Sequence, residues 1–238
     1  ATVAARDHRA ATGEAILDFM KLLKSFEDFI FEAASWLIFY PLTLGRIMLH
    51  PLKTMEYSDR EQTEDTDHRY DDALSPPLLL RVPFLLSNLI SAAAHIAPPD
   101  ATTAMLQTIT ATQQNLTLFR TLLFSLIPLI AASSLVRRQG KKLSRQTLRP
   151  PFYAQCYLAA FCAAFVAVGD VFLRRPELSN AAGAVIICGG VLWFLAVQAT
   201  WFSRKLNIPR IKAAAIAVWA TLRAIIYMLL VVIPIAYV

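Results

Sequence analysis

The sequence predicts an all-α, polytopic helical membrane protein with five transmembrane helices and interfacial amphipathic helices at its N-terminal side. Three observations predict it. Long apolar runs follow one another with little polar chain between them. The charges collect in clusters at the ends of those runs. The most basic cluster, residues 137–149, carries six positive charges and no negative one. Short loops with this much Lys and Arg stay on the cytoplasmic side of a membrane, so this loop orients every other segment. Composition agrees: 56% of the 238 residues are hydrophobic and only 17% charged, more apolar than a soluble domain of this length.

Two parts follow from this pattern. Residues 1–75 form a cytoplasmic or interfacial segment ending in an acidic linker, and residues 76–238 form the five-span bundle. Ala1 to Gly13 carry no apolar signal-peptide core. Residues 14–31 place Ile16, Leu17, Met20, Leu23 and Ile30 at helical spacing, opposite Asp18, Lys21, Lys24 and Asp28. The run from Phe29 to Leu44 contains Glu32 and Pro41 and falls short of the ~20 apolar residues a span needs. Residues 14–52 therefore read as helices lying against the membrane surface, with Trp36 and Tyr40 suited to the headgroup region. The rival reading has 29–49 crossing the membrane. From Glu56 to Asp72 the chain is acidic, with His68 among the carboxylates. It lacks the glycine and the alternating acids of a calcium loop. A solvated linker, or a face that pairs with the basic loops, is the simpler reading.

The first span runs from about Pro76 to Ala97. Two prolines open it, as a helix start allows, and Arg81 can snorkel to the headgroups. The loop 98–114 holds Asp100 and no Lys or Arg, as expected of an outside loop. The later spans cover about 115–136, with Pro128 inside, then 152–173, 179–202 and 213 to the end. The loop 174–178 is short enough to make spans three and four an antiparallel hairpin. The inside loops carry ten Lys or Arg and the outside loops two. That bias predicts a cytoplasmic N-terminus and an outside C-terminus. The expected location is a bacterial inner membrane.

The candidate functional residues fall in two groups. Arg137, Arg138, Lys141, Lys142 and Arg145 share the expected cytoplasmic side with Arg204, Lys205, Arg210 and Lys212, and would contact anionic lipid headgroups. Arg120, Asp170 and Arg223 lie inside spans, where an ionisable group is costly and invites a functional reading. Arg120 and Asp170 are expected near the outside surface, paired with each other or with Arg174. Arg223 is expected deeper, with an internal partner, a lipid-headgroup or substrate contact, or as a snorkelling or carbonyl-bonded arginine. Asn88, Gln198 and Thr221 are polar positions inside the bundle. Ala160, Ala164, Gly169, Gly183, Gly189 and Gly190 are small residues suited to close helix packing.

Several classes find no support. Cys156, Cys162 and Cys188 form no C-x-x-C pair and read as buried small hydrophobes. No esterase, zinc-protease or phosphate-loop motif occurs. No catalytic residue, metal site or cofactor is expected, and the chain is not expected to be an enzyme. The formal net charge of +6 is explained by topology, so no nucleic-acid partner is expected. The expected partners are anionic lipids and other membrane proteins, or further copies of the chain.

Tyr40-Pro41-Leu42-Thr43-Leu44-Gly45-Arg46 and His50-Pro51, followed by the acidic linker and Ser75-Pro76-Pro77, resemble the bacterial branch of the Yip family. The resemblance implies a cytoplasmic N-terminal segment with an amphipathic helix, followed by five spans. Many bacterial members carry the label permease. The Asp-Leu-x-Gly-Pro type motif of the eukaryotic trafficking members is absent, so their binding of Rab GTPases does not carry over. Two functions remain open: a non-enzymatic scaffold, accessory subunit or self-assembling oligomer, and a small permease for a solute or lipid.

Overall fold

A computed structural model gives the structure of the chain and describes residues 20, 24–27, 30–31, 34, 38–62, 75–93, 103–175 and 179–237. The chain divides into two compact units, Ala1–Leu42 and Thr43–Val238. In the first unit the described residues before Pro41 are helical, and Phe26, Ile30 and Phe31 are exposed. Burial pushes the Tyr40 phenol up to about 12, so it remains a neutral hydroxyl at the edge of an apolar run. Most of the amphipathic stretch 14–31, together with Glu32 and Trp36, lies outside the described residues.

The helices are α1 (Ile38–Leu49), α2 (Pro51–Glu61), α3 (Pro76–Ala93), α4 (Ala104–Thr110), α5 (Gln113–Arg138), α6 (Arg145–Arg174), α7 (Asn180–Leu206) and α8 (Arg210–Tyr237). No strand occurs among the described residues. Helices α3, α5, α6, α7 and α8 are long and apolar enough to cross a membrane. The protein is an all-α, five-span membrane protein. α3, at 18 residues, spans about 27 Å at 1.5 Å per residue, close to the ~30 Å hydrocarbon core.

Local chemistry sets the helix ends. α5 stops at a turn in which Gly140 takes φ +69 and the Lys141 N–H donates to the Val136 carbonyl. That left-handed position favours glycine. α6 begins at Arg145, ahead of its apolar run, because Ser144 and Thr147 form a reciprocal capping box. Pro150 and Pro151 fall in its second turn, where each removes one backbone bond, to the Gln146 and Thr147 carbonyls. α7 extends to Leu206 and ends on Asn207 at φ 52. The Asn207 and Ile208 amides both donate to Ser203 O, and α8 starts three residues later. The expected loop 98–114 is not all loop. Thr103 caps α4, accepting from Leu106 N, and its hydroxyl donates to Ile235 O of α8 at 2.7 Å.

α6 is the central helix. It packs on α2, α3, α5 and α7, and every residue from Ala154 to Ala163 is buried. Alternating helix directions place the C-termini of α5 and α7 and the N-termini of α6 and α8 together at one end, called here the basic end. α4 lies at the opposite, far end. Gly169 of α6 and Gly183 of α7 bring two backbones together: a Cβ on Gly183 would stand 2.9 Å from Gly169 O. Gly190 sits against Phe165 in the same way, whereas a Cβ on Gly189 would meet nothing within 4 Å. Gly189 is therefore not a packing position. Nor is Cys188 a buried one: it is exposed beside Gly189 on the outer face of α7, while Cys156 and Cys162 are buried.

Candidate functional site

At the far end α3, α5 and α6 bring Asn88, Thr117, Arg120, Asp170 and Arg174 together. Asn88 comes about one and a half turns before the end of α3, and Arg120 about two turns into α5. The Arg120 guanidinium donates to Asn88 Oδ1 at 3.0 Å, and Asn88 Nδ2 donates to the Thr117 hydroxyl. Asp170 pairs with Arg174, one turn on along α6. Of the two expected pairings, Asp170 takes the one with Arg174, and no ion pair joins Arg120 to Asp170 among the described residues. Arg120 takes an amide partner and Asp170 takes Arg174. Both line a cavity of about 300 Å³ whose walls are apolar, Phe84, Phe124, Val166 and Met228 among them.

Arg223 donates to Ser134 Oγ on α5 at 2.7 Å. Ser134 in turn donates to Ile130 O. The guanidinium thus has an internal partner, which lies toward the basic end, although its Nε–H has none. Deeper in the α6–α7 hairpin, Gln155 and Gln198 are fully buried, and neither side-chain amide has a hydrogen-bond partner. Phe161 stacks on Trp193 across this hairpin. Gln155 lies six residues before Phe161, and Gln198 five after Trp193, so antiparallel register puts the two amides at nearly one level. Gln198 was identifiable from its place inside an apolar run. Gln155 was not, because it follows the polar start of α6.

The basic end collects the other group. Arg137, Arg138, Lys141, Lys142, Arg145, Arg210 and Lys212 are exposed, and none forms an ion pair among the described residues. Arg204 and Lys205 behave differently. Lys205 Nζ bonds Asp59 at 2.6 Å and lies 4.5 Å from the centre of the Trp201 ring. Arg204 reaches Glu56 at 3.4 Å. The start of the acidic run is thus a helix that packs on α6 and α7, and its carboxylates pair with basic residues. The remainder, Glu64 to Asp72 with His68, lies outside the described residues. Among the described residues no group of three or more His, Cys, Asp or Glu could hold a metal ion.

A groove of about 380 Å³ opens beside α5 and α6 at this end. Arg145 and Arg149 stand at it, with Leu129, Leu148, Phe152 and Tyr153 on its walls. Arg149 lies over the Tyr153 ring at 5.4 Å. Leu129 is about halfway along α5, so the groove joins cationic side chains to the apolar band of the bundle. No family model, curated protein or solved structure matches this chain.

Proposed function

We propose that the protein is a non-enzymatic membrane protein that works by contact, as a scaffold, accessory subunit or self-assembling oligomer, with anionic lipid held at its basic end. The groove carries this reading. Arginines at the mouth and an apolar wall leading inward match the two halves of an anionic phospholipid. Each Lys or Arg near an anionic surface contributes about 1 kcal/mol within a Debye length. Arg137, Arg138, Lys141, Lys142, Arg210 and Lys212, six further cations at this end with no ion pair among the described residues, add to that attraction. Arg204 and Lys205, already paired to α2, contribute less to it. The wide apolar faces of α7 and α8, where Val185, Leu192 and Leu230 are exposed, suit lipid or another apolar helix.

Neutralising Arg137, Arg138, Lys141 and Lys142 together should lower the retention of phosphatidylglycerol or cardiolipin in native mass spectrometry of the purified chain. Unchanged retention in a correctly inserted variant would leave the basic loop with insertion alone. A small permease is the second reading, and the far-end cavity with Arg120 and Asp170 favours it. Solute uptake into proteoliposomes that Arg120→Gln abolishes would decide for transport. The Yip-like resemblance is compatible with either.

A further inference from the structure

A second basic feature lies outside every residue discussed so far for lipid contact. The α2 surface carries three stripes. Thr54, Met55, Ser58 and Glu61 are buried. Glu56 and Asp59 form the stripe that meets Arg204 and Lys205. Lys53, Tyr57 and Arg60, at i, i+4 and i+7, form the third, one helical face. That face does not stop at the N-terminus of α2. His50 leaves helical geometry, with φ -137 and ψ 58, as a residue before proline does. Backbone bonding nevertheless continues across it: His50 N–H donates to Arg46 O at 2.8 Å, and Thr54 N–H to His50 O at 3.0 Å. Arg46 and His50 therefore extend the line of Lys53, Tyr57 and Arg60. These five side chains line one cavity of about 240 Å³, with the buried Thr43 and Thr54 at its floor.

We propose that this cavity is a binding site for a phosphate-type anion. Two guanidinium groups, an ammonium, an imidazole and a phenol line it, and among the described residues no carboxylate does. Arg46, Tyr57 and Arg60 also have contacts within the protein, and a guanidinium, with five N–H donors, can hold a ligand oxygen beside such a contact. The donor set exceeds what one carboxylate, with about four lone-pair sites, accepts. A phosphate offers more oxygens and up to two charges, and charge-assisted bonds from arginine to phosphate are among the strongest available. Its volume lies below the ~300–1,000 Å³ of drug-sized ligand sites. It therefore suits a phosphate and its first ester substituent better than a whole lipid. That phosphate belongs either to a phospholipid headgroup or to a soluble phosphate compound.

Among the described residues, none of the loop 137–149 or of the groove at Arg145 lines this cavity, so the two can fail separately. The full chain, purified in a non-ionic detergent, is titrated with dihexanoyl-phosphatidic acid and with inorganic phosphate. The double variant Arg46→Gln/Arg60→Gln should bind at least about tenfold more weakly, as expected for loss of bonds to a charged group. The control Arg175→Gln, in the loop that follows α6 at the far end, should bind as the wild type does. Phosphatidic acid binding that inorganic phosphate does not displace assigns the site to a lipid headgroup. Displacement by inorganic phosphate assigns it to a soluble phosphate compound. Should the double variant fold poorly, Lys53→Gln reads the same site from a single exposed residue and should weaken binding in the same direction. Binding by neither probe, or wild-type binding in folded Arg46→Gln/Arg60→Gln, overturns the proposal.

Discussion

Asn88 holds the far-end cluster in place. Its amide receives the Arg120 guanidinium on one side and reaches Thr117 on the other, and the residue is 7% exposed. The two bonds differ in what their loss leaves behind. Thr117→Val leaves the neutral Asn88 Nδ2–H without its hydroxyl acceptor, and neutral bonds between helices average about 0.6 kcal/mol in a membrane protein. Asn88→Leu removes the acceptor of a half-buried cation, and an unsatisfied buried donor costs about 1–3 kcal/mol, more when charged. Asn88→Leu should therefore lower the unfolding midpoint in a dodecyl sulfate titration clearly more than Thr117→Val does. Equal effects would mean that Arg120 does not depend on Asn88. The sequence singled out Asn88 and Arg120 separately. Their pairing joins residues 32 positions apart on two helices, which spacing within either span could not reveal.

Two neighbouring glycines on α7 separate packing from mere smallness. A Cβ at Gly190 would stand 2.5 Å from Phe165 Cβ, while one at Gly189 meets nothing. Overpacking a tight contact costs about 1–3 kcal/mol, whereas alanine in open helix surface gains up to about 1 kcal/mol over glycine. Gly190→Ala should loosen the α6–α7 hairpin and lower thermal stability in detergent. Gly189→Ala should leave it unchanged or raise it. A destabilised Gly189→Ala with a neutral Gly190→Ala would contradict the packing described for this pair. The five spans were legible because length and hydropathy suffice to mark a helix that must satisfy its own backbone in lipid. α4 was not, because a seven-residue helix of mixed apolar and polar residues leaves no run to detect. α2 was hidden differently. Glu56 and Asp59 were read as part of an acidic composition, although their offset from Lys53, Tyr57 and Arg60 already sorted the charges onto separate faces. Pro51 concealed the continuity of that face with Arg46 and His50, since a proline at the first helical position looks like a boundary and here costs the helix nothing.

At the scale of the whole molecule the charge asymmetry sharpens once pairing is counted. The loops at the basic end carry ten Lys or Arg, and those at the far end carry Arg174 and Arg175. Arg174 is held by Asp170, which leaves Arg175 as the far-end loop cation without a described ion pair. That asymmetry predicts a basic end retained in the cytoplasm, which a membrane potential would reinforce by about 2.3 kcal/mol per charge per 100 mV. In a chain with Cys188 replaced by Ser, a cysteine at Gln107 on α4 should react with a membrane-impermeant thiol reagent in intact cells. A cysteine at Ser144 should react only after the membrane is opened. Both positions are exposed, so burial does not confound the comparison, and Cys156 and Cys162 are buried. The reverse pattern would invert the molecule, and equal labelling would mean that both orientations insert. The same count protects the lipid experiment. Neutralising Arg137, Arg138, Lys141 and Lys142 takes four from ten and leaves six Lys or Arg against two. The orientation should therefore survive, with Ser144→Cys still unlabelled in that background, and any lipid then lost is lost from a correctly inserted bundle.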